Sequence, residues 1–152
     1  MAVVLATLLD EQQVTLDLRA ANPDDALGEI VGTMSKLREP EKFLAEVRQR
    51  ETSQTTYVGN GVAFPHARTE LVEKILLGIG RSRAGIPFGE QGELAHLLFL
   101  IAVPKRLVND YLVCVGALAR LTKDKEMRTK LLSAATATEF VQLLREASLL
   151  LE

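Results

Sequence analysis

Leu94-Ala95-His96-Leu97-Leu98-Phe99-Leu100-Ile101-Ala102-Val103, closed by Pro104, is the stretch whose pattern decides the fold. Its residues are nearly all apolar and do not alternate with polar ones. A strand of that kind has both faces covered, as in the middle of a layered α/β protein. Pro104 has no N–H and ends it. The strongly hydrophobic part, Leu97–Val103, is strand-sized and far short of the ~20 residues that cross a bilayer.

Before this strand, Lys74–Gly80 predicts another buried strand, and Pro87–Gly92 a Gly- and Pro-containing loop. Further upstream, Val14, Leu16 and Leu18 alternate with polar residues, which predicts a strand over Gln13–Leu18. Asn22 then reads as a helix cap, with Pro23 at the first helical position and Asp24 and Asp25 in the first turn. The apolar stripe of that helix is Leu27, Ile30, Val31 and Met34. Pro40 opens a second helix with Phe43, Leu44 and Val47 on its buried face, ending near Arg50–Thr52.

Downstream the pattern is helical. Asn109 or Asp110 opens a helix with Leu112, Val115, Leu118 and Ala119 on its stripe, and Asp124 caps the next. Thr136 and Glu139 form a capping box before Phe140, Leu143 and Leu144. The elements run strand, two helices, several strands, three helices, without regular βαβ alternation. Layer logic gives an α/β protein, a three-layer α/β/α sandwich with a central mixed sheet flanked by helices. A chain of 152 residues suits one domain over 1–152.

Composition narrows function by exclusion. A formal net charge of -2 offers no clustered basic face for nucleic acid and no polybasic membrane patch. Residues 1–10 lack the basic leader and cleavage site of a signal peptide, so the expected compartment is the cytoplasm, without membrane insertion. The single Cys114 cannot form an internal disulfide and reads as a small buried hydrophobe. Two histidines and one cysteine are too few for a His/Cys zinc site; no metal or organic cofactor is expected.

His66 is the most informative residue. It follows Pro65, which fixes its own backbone and restricts Phe64, and the turn Gly59-Asn60-Gly61 lies upstream. An imidazole on such a rigid bend is a competent nucleophile near neutral pH, one nitrogen attacking while the other is oriented by a hydrogen bond. The plain alternative is a surface-loop histidine. Arg50, Arg68, Arg81 and Arg83 are candidates for a phosphate or carboxylate clamp. His96, within the apolar strand, reads as a structural, hydrogen-bonded histidine. No P-loop, dinucleotide-binding glycine motif or nucleophile elbow is present.

Arg50-Glu51, followed by Thr56-Tyr57-Val58-Gly59-Asn60-Gly61-Val62-Ala63-Phe64-Pro65-His66, resembles the IIA domain of the fructose–mannitol class of the bacterial phosphoenolpyruvate-dependent phosphotransferase system, which includes nitrogen-regulatory IIA proteins. The likeness extends over nearly the whole chain, through the Phe88-Gly89 loop, the long apolar strand and the Leu131–Ala135 pattern into Glu139-Phe140. It implies the three-layer α/β/α fold. It implies that His66 accepts a phosphoryl group from the histidine-containing phosphocarrier protein. That group then passes to a IIB partner, or signals to a regulated kinase or transporter.

The resemblance also implies that Arg50 acts beside the phosphohistidine; by the chemistry of the residues, the backbone N–H groups of Gly59, Asn60 and Gly61 and the nearby Arg68 are expected to support the phosphate. Members active in transfer usually carry a second histidine at the start of the helix after the long strand; here that position is Tyr111. Tyr111 is therefore expected to face His66. Partners are expected to dock on an apolar rim containing Phe64 and Tyr57. A free-standing chain of this size leans toward the nitrogen-regulatory type. The alternative is a non-catalytic docking module of the same fold that has lost phosphate relay.

Overall fold

The computed structural model describes residues 5–151. Residues 1–4 of the supposed leader-free start, and residue 152 of the expected 1–152 unit, lie outside the described residues.

The apolar stretch forms strand β6 (Leu94–Pro104) at the centre of the sheet. It runs antiparallel to β5 (Leu76–Pro87) and parallel to the short strands β3 (Val62–Ala63) and β4 (His66–Thr69), which follow one another along its other edge. β1 (Val14–Thr15) lies parallel to β5, and β2 (Tyr57–Gly59) antiparallel to β3. The sheet has six strands in the order β1-β5-β6-β3-β2, with β4 also paired to β6.

Both faces of β6 are covered. Leu97, Phe99, Ile101 and Val103 enter one core with Cys114 and Leu118 of α3 (Val108–Lys123), Leu131 of α4 (Lys125–Ser133) and Phe140 and Leu144 of α5 (Ala137–Leu149). Leu98, Leu100 and Ala102 enter a second core with Leu27 and Ile30 of α1 (Pro23–Val31) and Phe43 and Val47 of α2 (Pro40–Ser53). The mixed sheet between helical layers is the expected architecture. α1 lies unusually close to β5. A side chain at Gly78 would start 2.7 Å from Ile30 Cγ2, and one at Gly80 2.7 Å from Leu18 Cδ1.

Local capping follows the sequence. The Asn22, Asp124 and Thr136 side chains accept from backbone N–H groups of α1, α4 and α5. Glu139 reaches back to the Ala135 N–H, one residue before the cap.

Several expectations change. The first strand keeps only Val14–Thr15, because Glu11–Gln13 forms a 3₁₀ turn capped by Asp10. Met34 is buried beyond the end of α1, in the following turn. The Lys74–Gly80 strand starts at Leu76 and runs to Pro87. Neither Asn109 nor Asp110 caps α3: Lys105–Leu107 is a 3₁₀ turn leading into it, so both lie in its first turn. The buried stripe of α3 is Cys114, Leu118, Leu121 and Thr122, which turns Leu112 and Ala119 outward.

Arg81 is no phosphate clamp. It is 2% exposed and sealed inside the fold. Its Nε donates to the Leu16 carbonyl at 3.0 Å, and its Nη1 to the Leu131 and Ala134 carbonyls at 2.9 and 2.8 Å. The last two are the orphan acceptors at the C-terminus of α4, where the helix dipole also favours a cation. Arg81→Met should lower unfolding stability by about 2–4 kcal/mol, because buried carbonyls are left without donors. Arg81→Lys should restore little of it, since one ammonium cannot serve carbonyls on two sides as the planar fork does. Urea denaturation checks this; an unchanged midpoint for Arg81→Met would contradict the assignment.

Candidate functional site

His66 begins β4 and is not a loop histidine. The chain passes from β3 to β4 through Phe64-Pro65 while remaining alongside β6. The Phe64 N–H donates to Thr56 O at 3.1 Å, and the Pro65 carbonyl accepts from Ile101 N at 3.0 Å. The Phe64 carbonyl turns instead to His66 Nδ1, 3.0 Å away. A carbonyl can only accept, so this bond puts the proton on Nδ1 and the lone pair on Nε2.

Pairing with Ile101 directs the His66 ring to the face covered by α3. There it meets Tyr111, with ring centroids 5.1 Å apart and planes inclined at 33°. Tyr111 thus faces His66, as its place in the sequence suggested. Arg50 comes from the last turn of α2, where its Nη1 donates to Gln54 O at 2.8 Å. The next residue, Glu51, accepts from the N–H and hydroxyl of Thr56, both at 2.8 Å, and so folds the segment after α2 back toward β3.

His66, Arg50 and Arg68 line one cleft of about 390 Å³, together with Glu46, Gln49, Ser53 and Ala67. Arg68 stands two residues beyond His66 on the same side of β4; its exposed side chain makes no hydrogen bond or ion pair among the described residues. Glu46, Gln49 and Ser53 were not singled out from sequence. The available signal was helical spacing, since Glu46 and Ser53 stand four before and three after Arg50. Among the described residues no group of three His, Cys, Asp or Glu side chains could hold a metal ion.

The electrostatics keep the ring neutral. Burial lowers the His66 pKa from 6.5; the Phe64 hydrogen bond opposes it, Arg50 lowers it further and Glu51 opposes. Burial raises the Tyr111 pKa, and Arg50 partly offsets this, so the phenol stays a neutral hydrogen-bond donor. Arg50 is therefore the fixed charge felt by both rings. Burial and Asp110 push the Cys114 thiol up to about 11, which leaves it inert at neutral pH.

Other candidates lie elsewhere. Gly59, Asn60 and Gly61 form a turn of three successive positive-φ residues. The Gly61 carbonyl accepts from His96 and Leu97, whereas His66 is paired five residues along β6 at Ile101. That separation is roughly 15 Å at the rise of a β-strand. The Gly61 N–H is also taken by the Tyr57 hydroxyl at 3.0 Å. The turn shapes the far end of the sheet, away from His66, and offers it no phosphate support.

Phe64 is buried against Phe99, and Tyr57 is occupied at the turn, so neither forms a docking rim at His66. The exposed apolar side chains that follow Tyr111 in α3 are Leu112 and Val113. His96 bonds the Ser82 carbonyl at 2.9 Å, as a structural histidine would. Arg83 pairs with Asp17 on the surface.

A sequence model of the family described as "Phosphoenolpyruvate-dependent sugar phosphotransferase system, EIIA 2" matches residues 7–147. The fructose-specific EIIABC component of Bacillus subtilis is 26% identical over 146 residues, which are 93% of this chain and 23% of that longer protein. A nitrogen regulatory protein of Bradyrhizobium diazoefficiens is 30% identical over 136 residues, 88% of this chain and 89% of that one. The crystal structure of nitrogen regulatory protein IIA-Ntr from Neisseria meningitidis shares the fold, with a TM-score of 0.81 at 21% identity over 92% of this chain and 98% of that one. Among the described residues no helix is long and apolar enough to cross a membrane.

His66 should titrate below 6.5 when followed by NMR. Between that value and 6.5 the unfolded chain binds more protons, so this residue's contribution to stability falls as pH is lowered through the interval. Tyr111→Ala, which admits water to the ring, and Arg50→Ala, which removes a positive charge, should each move the midpoint upward. A wild-type midpoint above 6.5 would refute this account.

Proposed function

The chain belongs to the phosphoenolpyruvate-dependent sugar phosphotransferase system EIIA 2 family, and on that premise we propose that His66 accepts a phosphoryl group from the histidine-containing phosphocarrier protein. The observation that carries this reading is the Phe64 carbonyl on His66 Nδ1, which leaves Nε2 as the nucleophile beside Arg50. Nε2 attacks the phosphorus of the donor's phosphohistidine. The donor's N–P bond breaks as the Nε2–P bond forms, and the donor imidazole leaves with the electron pair.

Such a transfer needs in-line positioning and positive charge for the equatorial oxygens. Arg50 and Arg68 supply the charge from the same cleft. Tyr111 adds at most one neutral hydrogen bond, because its phenol gains no positive charge. Leu112, exposed and one residue along α3 from Tyr111, offers an apolar landing for the donor.

Onward use is of the nitrogen-regulatory type: the phosphoryl group on His66 signals to a regulated kinase or transporter, with relay to a IIB partner the lesser route. Two features support this. The likeness to a nitrogen regulatory protein spans nearly the full length of both chains. Tyr111 also stands where transfer-competent relatives are expected to place a second histidine. That same feature favours the alternative of a docking module with no relay. The chain's place is a phosphotransferase-system component working in the cytoplasm, without a cofactor.

Incubation with phosphoenolpyruvate, enzyme I and a cognate phosphocarrier, followed by mapping of acid-labile phosphate, decides between the two. Wild type should be labelled on His66 alone, and His66→Ala not at all. Arg50→Ala should slow labelling by roughly 10²–10³-fold, far more than Tyr111→Phe. Unlabelled wild type would establish the docking module. Labelling that survives His66→Ala would overturn the site.

A further inference from the structure

Arg50 and His66 reach the cleft from different elements, α2 and β4, so something must fix one element against the other. One side-chain hydrogen bond spans them at the site: Thr69 Oγ1 donates to Glu46 Oε1 at 2.6 Å. Glu46 stands one helical turn before Arg50 and lines the same cleft; Thr69 stands three residues after His66 in β4 and is 0% exposed. The Thr69 hydroxyl also accepts from Leu71 N at 3.1 Å, so its rotor is set and its proton is directed at the carboxylate. A short bond to a carboxylate, shielded from water on the threonine side, is a stiff tie.

We propose that Glu46 and Thr69 are a positioning pair that holds the Arg50 end of α2 against the strand carrying His66. Neither touches the reacting atoms. Their effect passes through Arg50, whose own anchor is the carbonyl of Gln54, beyond the end of α2. Loss of the tie lets the last turn of α2 shift from β4, and displacements of about 1 Å at such sites cost on the order of 10²-fold in rate. The assignment rests on the phosphoryl-transfer reading for its kinetic consequence only; the geometry of the unphosphorylated protein tests it separately.

The experiment compares Glu46→Ala, Thr69→Val, the double variant and Glu46→Gln, which keeps an acceptor oxygen at the same reach. In the unphosphorylated protein, Thr69→Val should move the NMR titration midpoint of His66 above that of wild type, and Glu46→Ala should move it above that of Glu46→Gln, which loses the same charge, because Arg50 then bears on it less. With phosphocarrier as donor, each should slow phosphorylation of His66 roughly 10- to 100-fold, with a smaller change in the donor concentration at half-maximal rate. The double variant should be no slower than the singles, since both break one tie. Glu46→Gln should be phosphorylated at nearly the wild-type rate.

A His66 midpoint in folded Glu46→Ala no higher than in Glu46→Gln overturns the proposal, as do additive effects in the double variant or a Glu46→Gln as slow as Glu46→Ala. If Thr69→Val does not fold, Glu46→Ala and Glu46→Gln, on the helix surface, still decide. If wild type takes no phosphate, the transfer reading fails and the titration alone settles the tie.

Discussion

β6 must be covered on both faces, and this constraint organises the molecule. Its alternate side chains belong to two separate cores, so neither helical layer can be removed without exposing a row of large apolar groups. The strands beside it are fitted to that demand. β5 gives up side chains at Gly78 and Gly80 so that α1 can close directly on the sheet. β3 and β4 share the opposite edge, one after the other, and His66 opens β4 just past the gap between them.

That gap works because Pro65 interrupts the hydrogen-bonding rhythm of the strand. A residue without an N–H cannot continue the ladder as a donor, although its own carbonyl still binds β6 at Ile101. Carbonyls alternate along a strand, so with that of Pro65 on β6 the preceding one, of Phe64, points the other way and accepts from the His66 ring. That bond orients the imidazole and fixes its tautomer. A neutral imidazole, a fixed cation and a neutral phenol then come from three elements, β4, α2 and α3, whose relative placement is set by the two cores.

Much of this was legible in the sequence where the signal is local. The all-apolar run to Pro104 marked the central strand, and Asn22-Pro23, Asp124 and Thr136 marked helix starts, because caps act within one turn. His66 stood out because Pro65 does. Long-range register was not legible: it places Gly59-Asn60-Gly61 beside His96 instead of His66. The phase of α3 was hidden too, because Leu112 and Cys114 are both apolar and only packing chose the smaller one for the interior. Glu46 looked like any solvated helix carboxylate, and its partner Thr69 is 23 residues away.

The buried Arg81 has a kinetic meaning as well. Its three acceptors lie 65, 50 and 53 residues away along the chain, on either side of it. Contacts of that span require the intervening loops to be closed first, and closing them costs chain entropy before any bond is gained. The guanidinium therefore locks in after the sheet and the C-terminal helices have met. Arg81 is in this sense a latch on the finished sandwich, made only once distant parts of the chain have been brought together.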